Sequence, residues 1–175
     1  MTIPSAIAPP QNAQLLLIAH ARGFQIYVCR PEGWVLKAPE AVLYDQQGSA
    51  IGKHFGGPTW QHNDGSQIAG KLAAKVESPD PAAIPWLLLD VTAHQPGSPD
   101  RAAFAGPIRS AFFAEGMGER AGVEGDGIFS RVTSIQRINT VGGLPPASAC
   151  SESNRDAEHK SPYSADYYFY GPKQP

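Results

Sequence analysis

The chain has 175 residues, 42% of them hydrophobic, with 14 Lys and Arg against 16 Asp and Glu and a formal net charge of -2. That length suits one domain with a core of its own, and the balanced charge, with no run of either sign, counts against nucleic acid, which needs a basic stripe. The longest apolar runs, Leu15 to Ala19 and Trp86 to Leu89, fall far short of the roughly 20 residues of a membrane-spanning helix.

Residues 1–22 are read as an N-terminal extension ahead of a single β domain over 23–175. Met1 to Pro10 has neither a basic n-region nor an apolar h-region, so an exported protein would be encoded with about 20 further residues ahead of it. From Gly23 onward, short strand-like segments follow one another between turn residues: 23–30, 34–38, 41–44, 50–55, 59–62, 67–76, 86–93, 130–139 and 163–170. This makes about nine strands, and the lack of alternating helices predicts an all-β fold, an antiparallel sandwich or a closed barrel. Asp64-Gly65 is the kind of dipeptide a tight hairpin uses, because it tolerates positive φ.

Alternation over Phe24 to Cys29 puts Phe24, Ile26 and Val28 on one face and Gln25, Tyr27 and Cys29 on the other. Cys29 and Cys150 are the two cysteines of the chain. They read as one long-range disulfide, which implies a secreted or periplasmic protein, the alternative being two unrelated buried thiols. Cys150 falls in an aperiodic stretch, 139–160, that would be long for an untethered loop. Around 97–126 the apolar spacing turns helical, with Ala102, Phe104, Ile108, Ala111 and Phe112. A short helical insertion is expected there, as a fixed cover over one barrel end or as a gate between flanking glycines.

Several separated strings, among them Gly57-Pro-Thr-Trp60, Ile84-Pro-Trp-Leu-Leu88, Ile135-Gln-Arg-Ile-Asn-Thr-Val-Gly-Gly143 and Tyr163-Ser-Ala-Asp-Tyr-Tyr-Phe-Tyr170, carry a resemblance. Together they are similar to an uncharacterised secreted family of bacteria and fungi, domain of unknown function 3455. The resemblance runs from about Gly23 to Tyr170 and implies export and a shared fold, with no established activity or catalytic residues. Some relatives carry a malate-dehydrogenase-like label. The residues do not support it, because Gly116-Met-Gly118-Glu-Arg-Ala-Gly122 follows a helix-like segment where a dinucleotide turn needs a strand.

Three constellations are candidates for chemistry. If Gly56 to Thr59 forms a hairpin centred on Pro58, His54 and His62 face each other across it, and with Asp64 they could hold zinc or copper. The alternative is two polar residues beside a Gly-rich turn, with no resident cofactor. Ser66 beside Asp64 and His62 can be written as a nucleophilic triad, but a serine there more naturally completes the turn. Arg137 among Ile135 and Ile138 needs an acidic partner, Asp166 or Glu40. The same arginine could instead fork onto a carboxylate in a ligand pocket walled by Trp60 and Tyr168. The sequence therefore predicts a β domain that binds a small organic ligand or a cell-envelope component. A metal-dependent enzyme using His54 and His62 is the alternative, and a purely structural envelope protein a third.

Overall fold

The computed structural model describes residues 2–97 and 127–174. Within them eight strands follow in chain order: β1 (Ala13–Arg30), β2 (Gly33–Tyr44), β3 (Ala50–Phe55), β4 (Thr59–His62), β5 (Gln67–Val76), β6 (Trp86–Gln95), β7 (Ser134–Gly142) and β8 (Glu158–Pro172). Each pairs antiparallel with the next, and β8 returns to pair with β1, so a single sheet closes into a ring. The expected all-β class holds in its closed form. The ring is not a regular barrel: β4 has 4 residues where β1 has 18, and bulges interrupt several registers. Among the described residues the helical turns are 3-10, at Ser5–Ile7 and Glu152–Asn154. The helical insertion expected around 97–126 lies, beyond Gly97, outside the described residues.

Two strand assignments need correction. The segments 34–38 and 41–44 are one strand, β2, with Pro39 inside it opposite Gln25. Proline survives there next to a bulge, where Ile26 faces Ala38 and Tyr27 faces Leu36, a setting in which a missing N–H is tolerated. Of the span 1–22 read as an extension, Ala13 to Arg22 lies in β1, pairing with β8. A bulge between Leu15 and Leu17 shifts the register there and breaks the period-two pattern that would have announced the strand.

Period-two alternation elsewhere decides what faces inward. Tyr163, Ala165, Tyr167 and Phe169 of β8 are buried, and opposite them on β1 stand Gly23, Ala21, Ala19 and Leu17. The small residues leave room for the tyrosine rings, and Tyr167 and Phe169 reach across to Trp60 of β4 at 5.7 and 6.5 Å. Gly23 is required at the β1–β2 seam, since a Cβ there would run into the Glu40 carbonyl and Ala41. Outside the ring, the Ser5–Ile7 turn packs Ile7 against Trp86 and Ile138, with Tyr168 partly buried beside them. Gln136 Nε2 donates to the Ile7 carbonyl at 2.8 Å, fixing that segment to β7.

Cys29 and Cys150 are joined, with their Cα atoms 5.4 Å apart and a sequence separation of 121. Cys29 shares the face of Gln25 and Tyr27, so the bond ties the β7–β8 connection over one end of the ring. Backbone bonds from Cys29 N to Ala157 O and from Asp156 N to Cys29 O, Trp34 Nε1 to Ser148 O and Tyr27 Oη to Gly143 O at 2.5 Å hold the same connection. Closing so long a loop removes much freedom from the unfolded chain. The double variant Cys29→Ala/Cys150→Ala should lose about 2–5 kcal/mol of unfolding free energy in urea titration. A change below about 0.5 kcal/mol, the scale of a neutral surface substitution, would contradict that role.

Candidate functional site

At the end of the ring that carries the β3–β4 turn, the interior opens into a cavity of about 370 Å³. Its inner wall is polar and aromatic, with Gln25 from β1, His54 from β3, Trp60 from β4, Arg137 from β7 and Tyr167 from β8. Leucines 36, 72, 87 and 89 supply the apolar wall. Leu36 and Leu72 stand at the mouth, 51% and 54% exposed.

Register places these groups. Arg137 is opposite Leu87 on one side and Tyr167 on the other, so its side chain enters the ring with the rest of its face. Its Nε and Nη2 both donate to the Pro85 carbonyl, at 3.2 and 2.7 Å. Among the described residues no carboxylate pairs with it. The two acids expected as partners are outside the ring. Asp166 binds His20 Nδ1 at 2.6 Å and accepts from Asn139 Nδ2 at 2.8 Å; Glu40 accepts from Lys160 Nζ at 3.1 Å. Tyr168, expected as a wall, belongs to the outer cluster beneath Ile7, and its neighbour Tyr167 takes the inner position. Trp60 and Arg137 both line the cavity.

The β3–β4 turn is centred on Gly57, not Pro58: Phe55 faces Thr59, His54 faces Trp60 and Gly52 faces His62. The expected His54 to His62 pairing is therefore corrected by two residues along the partner strand, His54 facing Trp60, which separates the two imidazoles along the strands. His54 instead stacks on Trp60, 4.4 Å between centroids at 15°, and its Nδ1–H donates to the Thr59 carbonyl at 2.8 Å. Among the described residues no three His, Cys, Asp or Glu side chains converge as metal ligands. The donor set read from the sequence thus does not fit zinc or copper, which need nitrogen and oxygen atoms meeting at about 2 Å from the ion.

His62, Asp64 and Ser66 lie at the opposite end and form a structural clasp. Asp64 Oδ1 accepts from Ser66 N at 2.8 Å and Ser66 Oγ at 2.6 Å, while Oδ2 accepts from Ile128 N at 2.8 Å. Ser66 Oγ in turn accepts from Phe129 N at 3.2 Å, so the turn binds the chain around 128–129 across the ring's end. A triad needs the serine proton directed to the histidine. Here that proton goes to Asp64, and His62 Nδ1 accepts from the Asp64 N–H at 3.1 Å. Burial pushes the Asp64 carboxyl up, yet His62 and the two Ser66 hydrogen bonds outweigh it and hold the group well below the usual carboxylate range. Since His62 Nδ1 is committed as an acceptor, the Ser66 bonds are the firmer part of that balance.

Burial pushes His54 down to about 3; its bond to Thr59 opposes this and the Arg137 charge adds to it. Burial also raises the phenols of Tyr27, Tyr163 and Tyr167, against the pull of Arg137. At neutral pH the inner wall therefore holds a neutral imidazole, neutral phenols and one cation.

A closed antiparallel β ring with a cavity at its mouth, lined by Arg137 within and Lys37 at the rim, is the class of protein these residues define. The chain matches the family model of a protein of unknown function (DUF3455) over residues 9–102 and 117–171, and it belongs to that family. No curated protein and no solved structure matches the chain.

Sequence reasoning missed Gln25, Leu36, Leu72 and Tyr167 as cavity residues. The parity of Tyr163, Ala165, Tyr167 and Phe169, all apolar or aromatic, was the signal that would have placed Tyr167 inward and Tyr168 outward.

His54 gives a pH dependence with a defined sign. Its folded value, about 3, lies below its ordinary 6.5, so between them the unfolded chain binds a proton that the fold does not. Stability is full above 6.5 and falls as pH drops toward 3, by up to about 1.4 kcal/mol per unit. Asp64 acts in the same direction but below its ordinary 3.8, leaving the range from about 6 to 4 to His54. In urea titrations His54→Phe should flatten the slope over that range. An unchanged slope would show that another group supplies it.

Proposed function

We propose that the protein is an extracytoplasmic binding module that takes a small organic ligand into the mouth of its β ring. The observation that carries this reading is Arg137, which stands without a carboxylate partner among the described residues in a cavity walled by Trp60, Tyr167 and leucines. Binding sites have this composition: a concave, mostly apolar wall with few convergent polar groups. Two further polar atoms in cavity residues, Gln25 Oε1 and Trp60 Nε1, are buried without a hydrogen-bond partner. Each such atom costs about 1–3 kcal/mol, which native folds rarely leave unexplained.

The disulfide supports the location. Such bonds persist in oxidising surroundings, the periplasm or the exterior, and are rare where thiols are kept reduced. Among the described residues no helix is long and apolar enough to cross a membrane. The Asp64 and Ser66 clasp is spent on backbone donors, and the His54 imidazole on Trp60 and Thr59, which favours binding over hydrolysis.

Nile red, an uncharged dye whose emission rises in apolar surroundings, tests the cavity. Its emission should increase on addition of the protein and lose most of that increase with Leu72→Asp at the mouth. Val141→Asp, at a position 58% exposed and outside the cavity, should leave it intact. Equal emission from all three proteins, or no increase with the natural one, would overturn the reading.

A further inference from the structure

Building on that reading of the mouth as a binding site, we infer that its ligand is a monocarboxylate with an apolar body, the carboxylate held at Arg137 and the body lying along Leu87, Leu72 and Leu36.

The argument starts from charge. A cation drawn partly out of water needs an anion or a full set of hydrogen bonds to offset its desolvation. Arg137 has two of its five N–H groups on the Pro85 carbonyl and a further hydrogen bond to the Tyr167 phenol oxygen, neither of which carries a negative charge. No acid lines the cavity among the described residues, and four acids of the sheet and its β7–β8 connection are committed elsewhere: Glu158 to Lys37 at 2.5 Å, Asp156 to Arg30, Glu40 to Lys160 and Asp166 to His20 on the outer surface. Lys37 also lines the mouth, and its pairing with Glu158 leaves Arg137 as the cation of the cavity without a carboxylate partner among the described residues. The aromatic groups beside it contribute no negative charge, since their phenols are held protonated by burial.

One unpaired cation matches one negative charge. A phosphate dianion would bring a second charge with no cation to receive it, whereas a carboxylate is planar, carries one charge and meets the remaining guanidinium edge through two oxygens. An arginine already anchored by Pro85 is also preorganised, so less rotamer freedom is lost on binding. The apolar body follows from the mouth. Leu36 and Leu72 leave half their surface to water at the mouth, and Leu87, opposite Arg137 in register, lines the same cavity. At about 370 Å³ the cavity equals on the order of a dozen water volumes. It suits a short chain or a single ring.

Displacement of Nile red separates this inference from the reading beneath it. Decanoate is compared with 1-decanol for a chain, and benzoate with benzyl alcohol for a ring. At least one acid should displace the dye at a concentration about tenfold or more below its alcohol, as a charge-assisted hydrogen bond commands. Added salt should weaken that acid and leave the alcohol unchanged. Arg137→Gln should erase the difference and Arg137→Lys retain part of it. Near-ultraviolet circular dichroism reports whether each variant keeps its packing, and the salt response of the natural protein gives the answer if neither does. Acids and alcohols displacing equally, or no salt response, would overturn the carboxylate while leaving a binding mouth. Failure of the natural protein to bind Nile red at all would remove the mouth as a site, and the carboxylate with it.

Discussion

Pairing of β8 with β1 is the constraint on which everything else in this molecule rests. The two strands pair from Ala13 opposite Pro172 to Val28 opposite Glu158, with one bulge between Leu15 and Leu17, the longest seam in the sheet. Without it β1 and β8 would be edges, and a sheet with two free edges has faces but no inside. With it, Tyr167 on the last strand comes within 5.1 Å of His54 on the third, and residues far apart in the chain share one interior. The alanines and the glycine on β1 make the seam compatible with a ring full of aromatic side chains, because β8 presents three of the largest inward-facing ones.

The two ends of the ring are finished differently, and the difference bears on function. At one end Asp64 and Ser66 bind backbone N–H groups of residues 128 and 129, spending their polarity on closure. At the other, the disulfide and the Tyr27 and Trp34 hydrogen bonds hold the β7–β8 connection to the side of the mouth. A tethered loop and an arginine braced by Pro85 are the conditions under which a cavity keeps its shape before a ligand arrives. The acids that would have quenched Arg137 face outward instead.

Much of the fold was legible because alternation has a short period and needs few residues to show itself. The pattern Gln25, Tyr27, Cys29 placed the cysteine on the covered face, and the Pro- and Gly-rich stretch around Cys150 supplied the loop it binds. The sequence offers Trp60 and Arg137 as residues of one pocket by residue type, and both line the cavity. What failed was register, which no local pattern specifies to one residue: centring the β3–β4 turn on Pro58 in place of Gly57 was enough to pair His54 with the wrong partner. Pro39 concealed the continuity of β2, because tolerance of a proline depends on a bulge that only the partner strand reveals. The choice between Tyr167 and Tyr168 is hidden in the sequence because four consecutive residues, Tyr167 to Tyr170, are aromatic, and composition masks parity there. Asp166 was matched to Arg137 by sign alone, although residues of opposite parity on adjacent strands lie on opposite faces.

Closure of the ring is tested most directly by nuclear Overhauser contacts in the oxidised protein. The account predicts cross-peaks between the rings of His54 and Tyr167, together with backbone contacts pairing Ala21 with Ala165 along the β1–β8 seam. Missing contacts at both places, with β8 amides exchanging with solvent as fast as those of an unpaired edge, would contradict it.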